Sequence, residues 1–320
     1  MSASSKNHTA IDVVKLIMAF LVVAIHTEPF GFSFWLDKGF GIITRLCVPF
    51  FFVASSYFFF SGNGNPVKYV KRLGLLYVVW SLIYLPFDLS VLKAMTAGQI
   101  LVKYLWTGNG HALWYLCGSI IGFGIVWGLS KVLKPKQVFA VAVVFWIFGC
   151  LKSTYAPVVQ RLLSVTLPDS LGSRNGLFYA FVYYALGLMI AEKNETHAGP
   201  QLKNLIGFAV SMLLLVAESL VLVYLFKTEQ TILWFSVLPL TYHFFMIVKS
   251  MQFPITQTQS LFCRKLSTLI YVSHCFYMYL FPGLRFWASF LAVAAIATAA
   301  SIIIYYLSRQ KAFRWMKILY

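Results

Sequence analysis

Long apolar runs, interrupted by short polar or basic stretches, recur along the whole chain. A helix needs about 20 consecutive apolar residues to cross a bilayer, and ten windows fit, at roughly 11–30, 42–61, 73–92, 112–130, 137–154, 174–192, 204–226, 231–248, 266–284 and 286–307. Stretches such as Phe208 to Phe226 and Phe286 to Leu307 have almost no polar face, whereas a helix lying on a soluble core needs one. The pattern predicts an all-α, polytopic membrane protein of about ten transmembrane helices, with residues 1–320 as a single transmembrane domain. The longest gaps, around 93–111 and 155–173, hold apolar residues with Gly or Pro and are expected to lie along the outer interface. No internal repeat is evident, and no gap is long enough to hold an aqueous domain. The first run is expected to stay uncleaved: Lys15 follows Asp12 inside it, and the "AIHTEPF" that ends it offers no small-x-small site.

Composition sharpens this picture. Hydrophobic residues make up 60% of the chain and charged residues 11%, far from a soluble mixture. A net charge of +17 would suit a nucleic-acid partner only if it formed one basic face, and the 26 Lys and Arg are instead scattered between apolar segments. No nucleic-acid partner is therefore expected. With both termini cytoplasmic, 17 of the 26, Lys6 among them, fall on the inner side, which satisfies the positive-inside rule. The five cysteines lie singly in or beside apolar runs, with no CxxC pair and no His at ligand spacing. They read as small buried hydrophobes, and no metal site is expected.

Ionisable groups inside a bilayer are costly, so each is a candidate site residue. Those inside or at the rims of the apolar runs are Asp12, Lys15, His26, Glu28, Arg45, Asp88, His111, Glu218, His243, His274 and Arg285. Helix-end snorkelling or interhelical hydrogen bonding explains such residues equally well when taken singly. Lys15 and His26 stand apart. Eleven helical positions bring them within ~20° of one face and ~16 Å apart along the axis, and Asp12 shares that face. Pro29 should end the helix just beyond, freeing Glu28 to orient or charge-balance the imidazole. A neutral imidazole in a partly apolar site is suited to taking a proton from a hydroxyl. Arg45 in "TRLCVPFFFVASSYFF" has the chemistry of an oxyanion or acid-binding group, or of an interfacial anchor. His111 and Trp114 in "HALWYL" are expected to begin a helix, where an aromatic belt is the alternative. Arg174 in "SRNGLF" stands before another helix, and "LIYVSHCF" places His274 within one.

These motifs, in this order, resemble the integral-membrane acyltransferase family three, whose ten-helix members acylate cell-surface sugars. Asp12, Lys15 and His26 match the first helix and "VPFFFVASSYFF" the second; the basic run Lys68, Lys71, Arg72 stands before the third, and "HALWYL", "RNGLFYAFVYYALG" and "LIYVSHCF" follow. The resemblance spans nearly the whole chain. It implies that His26 is the catalytic histidine; Glu28 is expected to assist it, and Asp12, Lys15, Lys68, Lys71 and Arg72 are expected to serve the donor. Arg45, His111, Trp114, Arg174 and His274, which the helix layout puts at one outer depth, are the expected acceptor-side or oxyanion residues. Lys15 stands where the family has Arg and keeps the charge without the bidentate fork. "ASSYFF" departs from the usual Ser-Gly pair. The donor implied is cytosolic acyl-coenzyme A, a substrate and not a bound cofactor. The acceptor implied is a cell-envelope glycan or lipid-linked sugar precursor, and the location a bacterial inner cell membrane. The chain also resembles the membrane part of vancomycin-resistance serine racemases, which keeps export of a small amino acid such as serine as the alternative.

Overall fold

The computed structural model describes residues 8–168, 172–193, 200–228 and 232–320; Lys6, counted above with the inner charges, lies outside them. The described residues are helical throughout their regular structure. In chain order the helices are α1 (Thr9–Thr27), α2 (Phe34–Thr44), α3 (Cys47–Ser61), α4 (Pro66–Lys93), α5 (Ala97–Val102), α6 (Trp114–Leu129), α7 (Pro135–Lys152), α8 (Ala156–Leu163), α9 (Phe181–Lys193), α10 (Leu202–Leu220), α11 (Val237–Ser250), α12 (Gln257–Leu280) and α13 (Phe286–Leu307). Wider π-helical turns adjoin α5 at Lys103–Thr107, α9 at Gly176–Ala180 and α10 at Val221–Leu225, and a 3-10 helix covers Lys311–Leu319.

A helix or a run of adjoining helices coincides with each apolar window. Among the described residues six segments are long and apolar enough to cross a membrane, Thr9–Thr27, Phe34–Ser61, Pro66–Lys93, Pro135–Lys152, Leu202–Leu225 and Phe286–Leu307, and Trp114–Leu129 is a shorter apolar helix. Their surfaces invert the soluble pattern. Leu205, Ile206, Val210, Leu213, Leu214 and Leu220 of α10 are exposed. Such a face is costly in water and suits hydrocarbon. Between the windows, 93–111 contains α5 with its π turn, and 155–173 contains α8. Residues 169–171 of the second gap lie outside the described residues.

Two expected boundaries are corrected. Lys68, Lys71 and Arg72 do not precede a helix; they lie in the first two turns of α4, which starts early because Asn65 accepts from the Lys68 N–H at 3.0 Å and Pro66 occupies the first helical position. His111 does not begin α6. His111 and Ala112 both have left-handed backbone, with φ of 56° and 65°, so the helix starts only at Trp114.

The chain forms two compact units. The first comprises Met1–Cys47, Glu195–Gly207 and His243–Tyr320, and the second Val48–Asn194 and Phe208–Tyr242. In the first unit α1 packs on α12 and α13. Asp12 meets Ser260 and Arg264, while His26 meets His274, so both pairings advance together and α1 and α12 run parallel. In the second unit α6 packs on α4 and α9, and α7 on α8 and α9. Gly187 allows one close approach there: a Cβ would lie 2.7 Å from the Val53 carbonyl oxygen, and the neighbouring Ser56 hydroxyl donates to the Tyr184 carbonyl at 2.5 Å.

Candidate functional site

One end of α1 is fastened to the start of α12. Thr256 and Gln259 form a reciprocal capping box that fixes where α12 begins. Asp12, 1% exposed, then accepts from Ser260 Oγ at 2.7 Å, Arg264 Nε at 2.9 Å and Arg264 Nη2 at 2.8 Å. Two guanidinium donors on one carboxylate fix angle as well as distance. Thr9 reinforces the joint, its hydroxyl donating to the Phe253 carbonyl at 3.1 Å and accepting from the Phe253 N–H at 3.0 Å. Asp12, expected among the donor-binding charges, is thus engaged by Arg264. Lys15, three residues on, is also buried.

At the other end of this helix pair, the structure brings His26 and His274 together, with ring centroids 5.1 Å apart. His26 sits exposed in the last turn of α1. Glu28 follows as a left-handed C-cap (φ 47°), its N–H bonded to the Ala24 carbonyl at 3.0 Å and its side chain exposed. His274 is fully buried, and its Nδ1 lies 2.7 Å from the Tyr271 carbonyl. A carbonyl only accepts, so Nδ1 carries the proton and Nε2 presents its lone pair. Cys275 Sγ lies 3.3 Å from that Nε2 and is placed to donate its S–H. His26, His274 and Cys275 form a group of three whose ligand atoms all lie within 4.8 Å of one another. No spacing along the chain marks this group, because His26 lies at the opposite end of the chain from the adjacent His274 and Cys275. Arg45, half-buried, caps the C-terminus of α2 in the same unit.

The second unit holds the remaining expected residues. Lys68, Lys71 and Arg72 are exposed on one face of the first turns of α4. The Arg174 guanidinium lies 5.5 Å from the centre of the Trp114 ring, which also meets Tyr179 edge-on at 5.5 Å. His111 joins a different set: its Nε2 is 3.1 Å from Asp88 Oδ1, and its ring stacks on Tyr84 at 4.5 Å. Lys103 Nζ reaches the same carboxylate oxygen at 3.2 Å, and the Tyr104 hydroxyl donates to the other at 3.4 Å. Burial, and the Asp88 carboxylate after it, hold the Tyr104 phenol above its usual pKa, which keeps it a neutral donor.

Asp88, Glu218 and His243, which nothing in the sequence pairs, therefore have partners. Glu218 accepts from the Tyr155 hydroxyl and from the backbone N–H groups of Phe235 and Ser236, at 2.7 and 2.9 Å, just before α11. His243 Nδ1 lies 3.2 Å from Asn204 Oδ1. In the sequence only the "TQTQ" capping box ahead of them signals Ser260 and Arg264, and only its place beside His274 signals Cys275.

The family described as "Acyltransferase domain", acyltransferase family three, matches residues 8–307. An amino-acid racemase of Enterococcus faecalis is 32% identical over 59% of this chain and 29% of its own length, and a second is 28% identical over 66% and 33%. A serine/alanine racemase of Enterococcus gallinarum is 26% identical over 65% of this chain and 32% of its own. The chain spans about a third of the length of these relatives. No solved structure matches it. With six membrane-length apolar helices among its described residues and a match over residues 8–307, the chain belongs to the integral-membrane acyltransferase family three.

Proposed function

We propose that the protein is a membrane O-acyltransferase, moving an acyl group, acetyl by preference, from cytosolic acyl-coenzyme A to a hydroxyl of a cell-envelope glycan or its lipid-linked precursor. The observation that carries the chemistry is His26, exposed at the end of α1 with its ring against the buried, tautomer-fixed His274. His26 acts as the general base. One imidazole nitrogen takes the acceptor hydroxyl proton as the oxygen attacks the thioester carbonyl. Collapse of the tetrahedral intermediate breaks the carbon–sulfur bond, and the imidazolium returns the proton to the departing thiolate. His274 keeps the His26 ring from rotating freely and is a positioning residue.

Phosphate recognition is assigned to the start of α4. Lys68, Lys71 and Arg72 cluster in its first two turns, where the helix dipole adds positive potential, a combination suited to the phosphates of coenzyme A. Replacing Lys71 and Arg72 together with Gln is expected to raise KM for acetyl-coenzyme A at least about tenfold with kcat little changed, because each removes a charge-assisted contact of about 1.5–3 kcal/mol. Steady-state kinetics in proteoliposomes checks this, and an unchanged KM would remove the pair from the donor path. On the acceptor side, the half-buried Trp114 face with Arg174 over it suits a sugar ring, and Arg45 suits an acidic acceptor or a developing oxyanion.

Glu28 tunes the base. Substituting Gln removes a negative charge two residues from the imidazole and favours its neutral, proton-accepting form. The acid limb of the pH–rate profile should therefore move to lower pH in Glu28→Gln; a superimposable profile would show that the carboxylate does not act on His26.

A further inference from the structure

We infer that His26, His274 and Cys275 form a binding site for a thiophilic transition-metal ion of the zinc class, built between the parallel helices α1 and α12. These three are the one group of metal-ligating side chains of its kind among the described residues, with all ligand atoms within 4.8 Å of one another. The His274 Nε2 to Cys275 Sγ distance of 3.3 Å fits the separation that zinc–nitrogen and zinc–sulfur bonds of about 2.0 and 2.3 Å impose in a tetrahedron.

A second, independent feature points the same way. Metal-binding imidazoles characteristically donate their other ring N–H to a fixed acceptor, which sets the tautomer and aims the lone pair. His274 does this, its Nδ1–H on the Tyr271 carbonyl at 2.7 Å. The site also rests on rigid elements, since Asp12 and Arg264 fasten the opposite ends of the same two helices. One thiol and two imidazoles select zinc or cuprous copper over calcium or magnesium. On binding, the Cys275 thiol proton leaves to solvent and Sγ bonds the ion as a thiolate. Three protein ligands leave one tetrahedral position for water. Exposed His26 gives the ion its way in, and exposed Glu28, two residues on, adds an attracting charge.

The consequence for activity rests on the function proposed above: an imidazole that ligates the ion cannot accept the hydroxyl proton, so the bound metal is a reversible inhibitor. The site itself does not rest on that reading. The test uses cobalt(II) as a spectroscopic probe, titrated into tag-free, detergent-purified protein without any acyl donor. The native protein should bind one equivalent, with tetrahedral visible bands and a near-ultraviolet thiolate-to-cobalt charge-transfer band, both removed by zinc. Cys275→Ser should lose the charge-transfer band. His26→Gln, at an exposed position where folding is retained, should bind at least about tenfold more weakly. Absence of saturable one-to-one binding would overturn the site, as would a variant of either residue that binds like the native protein. Because no turnover is measured, that failure would leave the acyl-transfer reading untouched.

Discussion

Replacing His26 with alanine is expected to lower kcat for acyl transfer by about 10²–10⁴-fold, the usual contribution of a positioned general base. KM for the acyl-coenzyme A donor should stay nearly constant, because the phosphate contacts are assigned to Lys68, Lys71 and Arg72 on α4. Stability should change little, since the side chain is exposed at a helix end, and substitutions at such places usually lie within about 0.5 kcal/mol. That combination separates a base from a packing residue: a structural His26 would lower the melting temperature and leave kcat per folded molecule intact. Replacing His274 should give a mixed result, since it is fully buried and holds its neighbours by two hydrogen-bonding contacts.

The second large effect concerns stability. Asp88→Ala is expected to destabilise the protein by about 3–5 kcal/mol, the range for removing one member of a buried ion pair. The side chains of Asp88, Lys103 and His111 are only 7, 18 and 9% exposed, so loss of the carboxylate leaves Lys103 without its counter-charge in a poorly hydrated place. Relaxation of His111 from its left-handed backbone offsets only part of that loss. Asp88→Asn, which keeps an acceptor for Lys103 and His111, should cost less. Thermal unfolding in detergent measures both, and a native melting temperature in Asp88→Ala would show that the cluster holds nothing in place.

The helices were legible because hydrocarbon demands length and apolarity, both one-dimensional properties that a sequence displays directly. Where α4 and α6 begin was not, because short-range chemistry decided it. Asn65 and Pro66 start α4 ahead of its apolar run, and paired left-handed residues at His111 and Ala112 delay α6. His26 could be picked out from its position on a face shared with Asp12 and Lys15. The residues that meet this helix could not, because Arg264 at the Asp12 end and His274 and Cys275 at the His26 end arrive from the opposite end of the chain, and nothing local marks that α1 and α12 run side by side. The same reason hid the partners of Asp88: Lys103 and His111 stand 15 and 23 positions away, across a π-helical turn that no apolar periodicity signals.

The most direct test of the central claim is transfer of labelled acetyl groups from acetyl-coenzyme A by purified protein in liposomes, with envelope extract as acceptor. Native protein should label a glycan or lipid-linked sugar, and His26→Ala, equally folded, should not. Labelled product of the same amount from both proteins, or no label from native protein that is folded and fails to bind coenzyme A, would contradict the account.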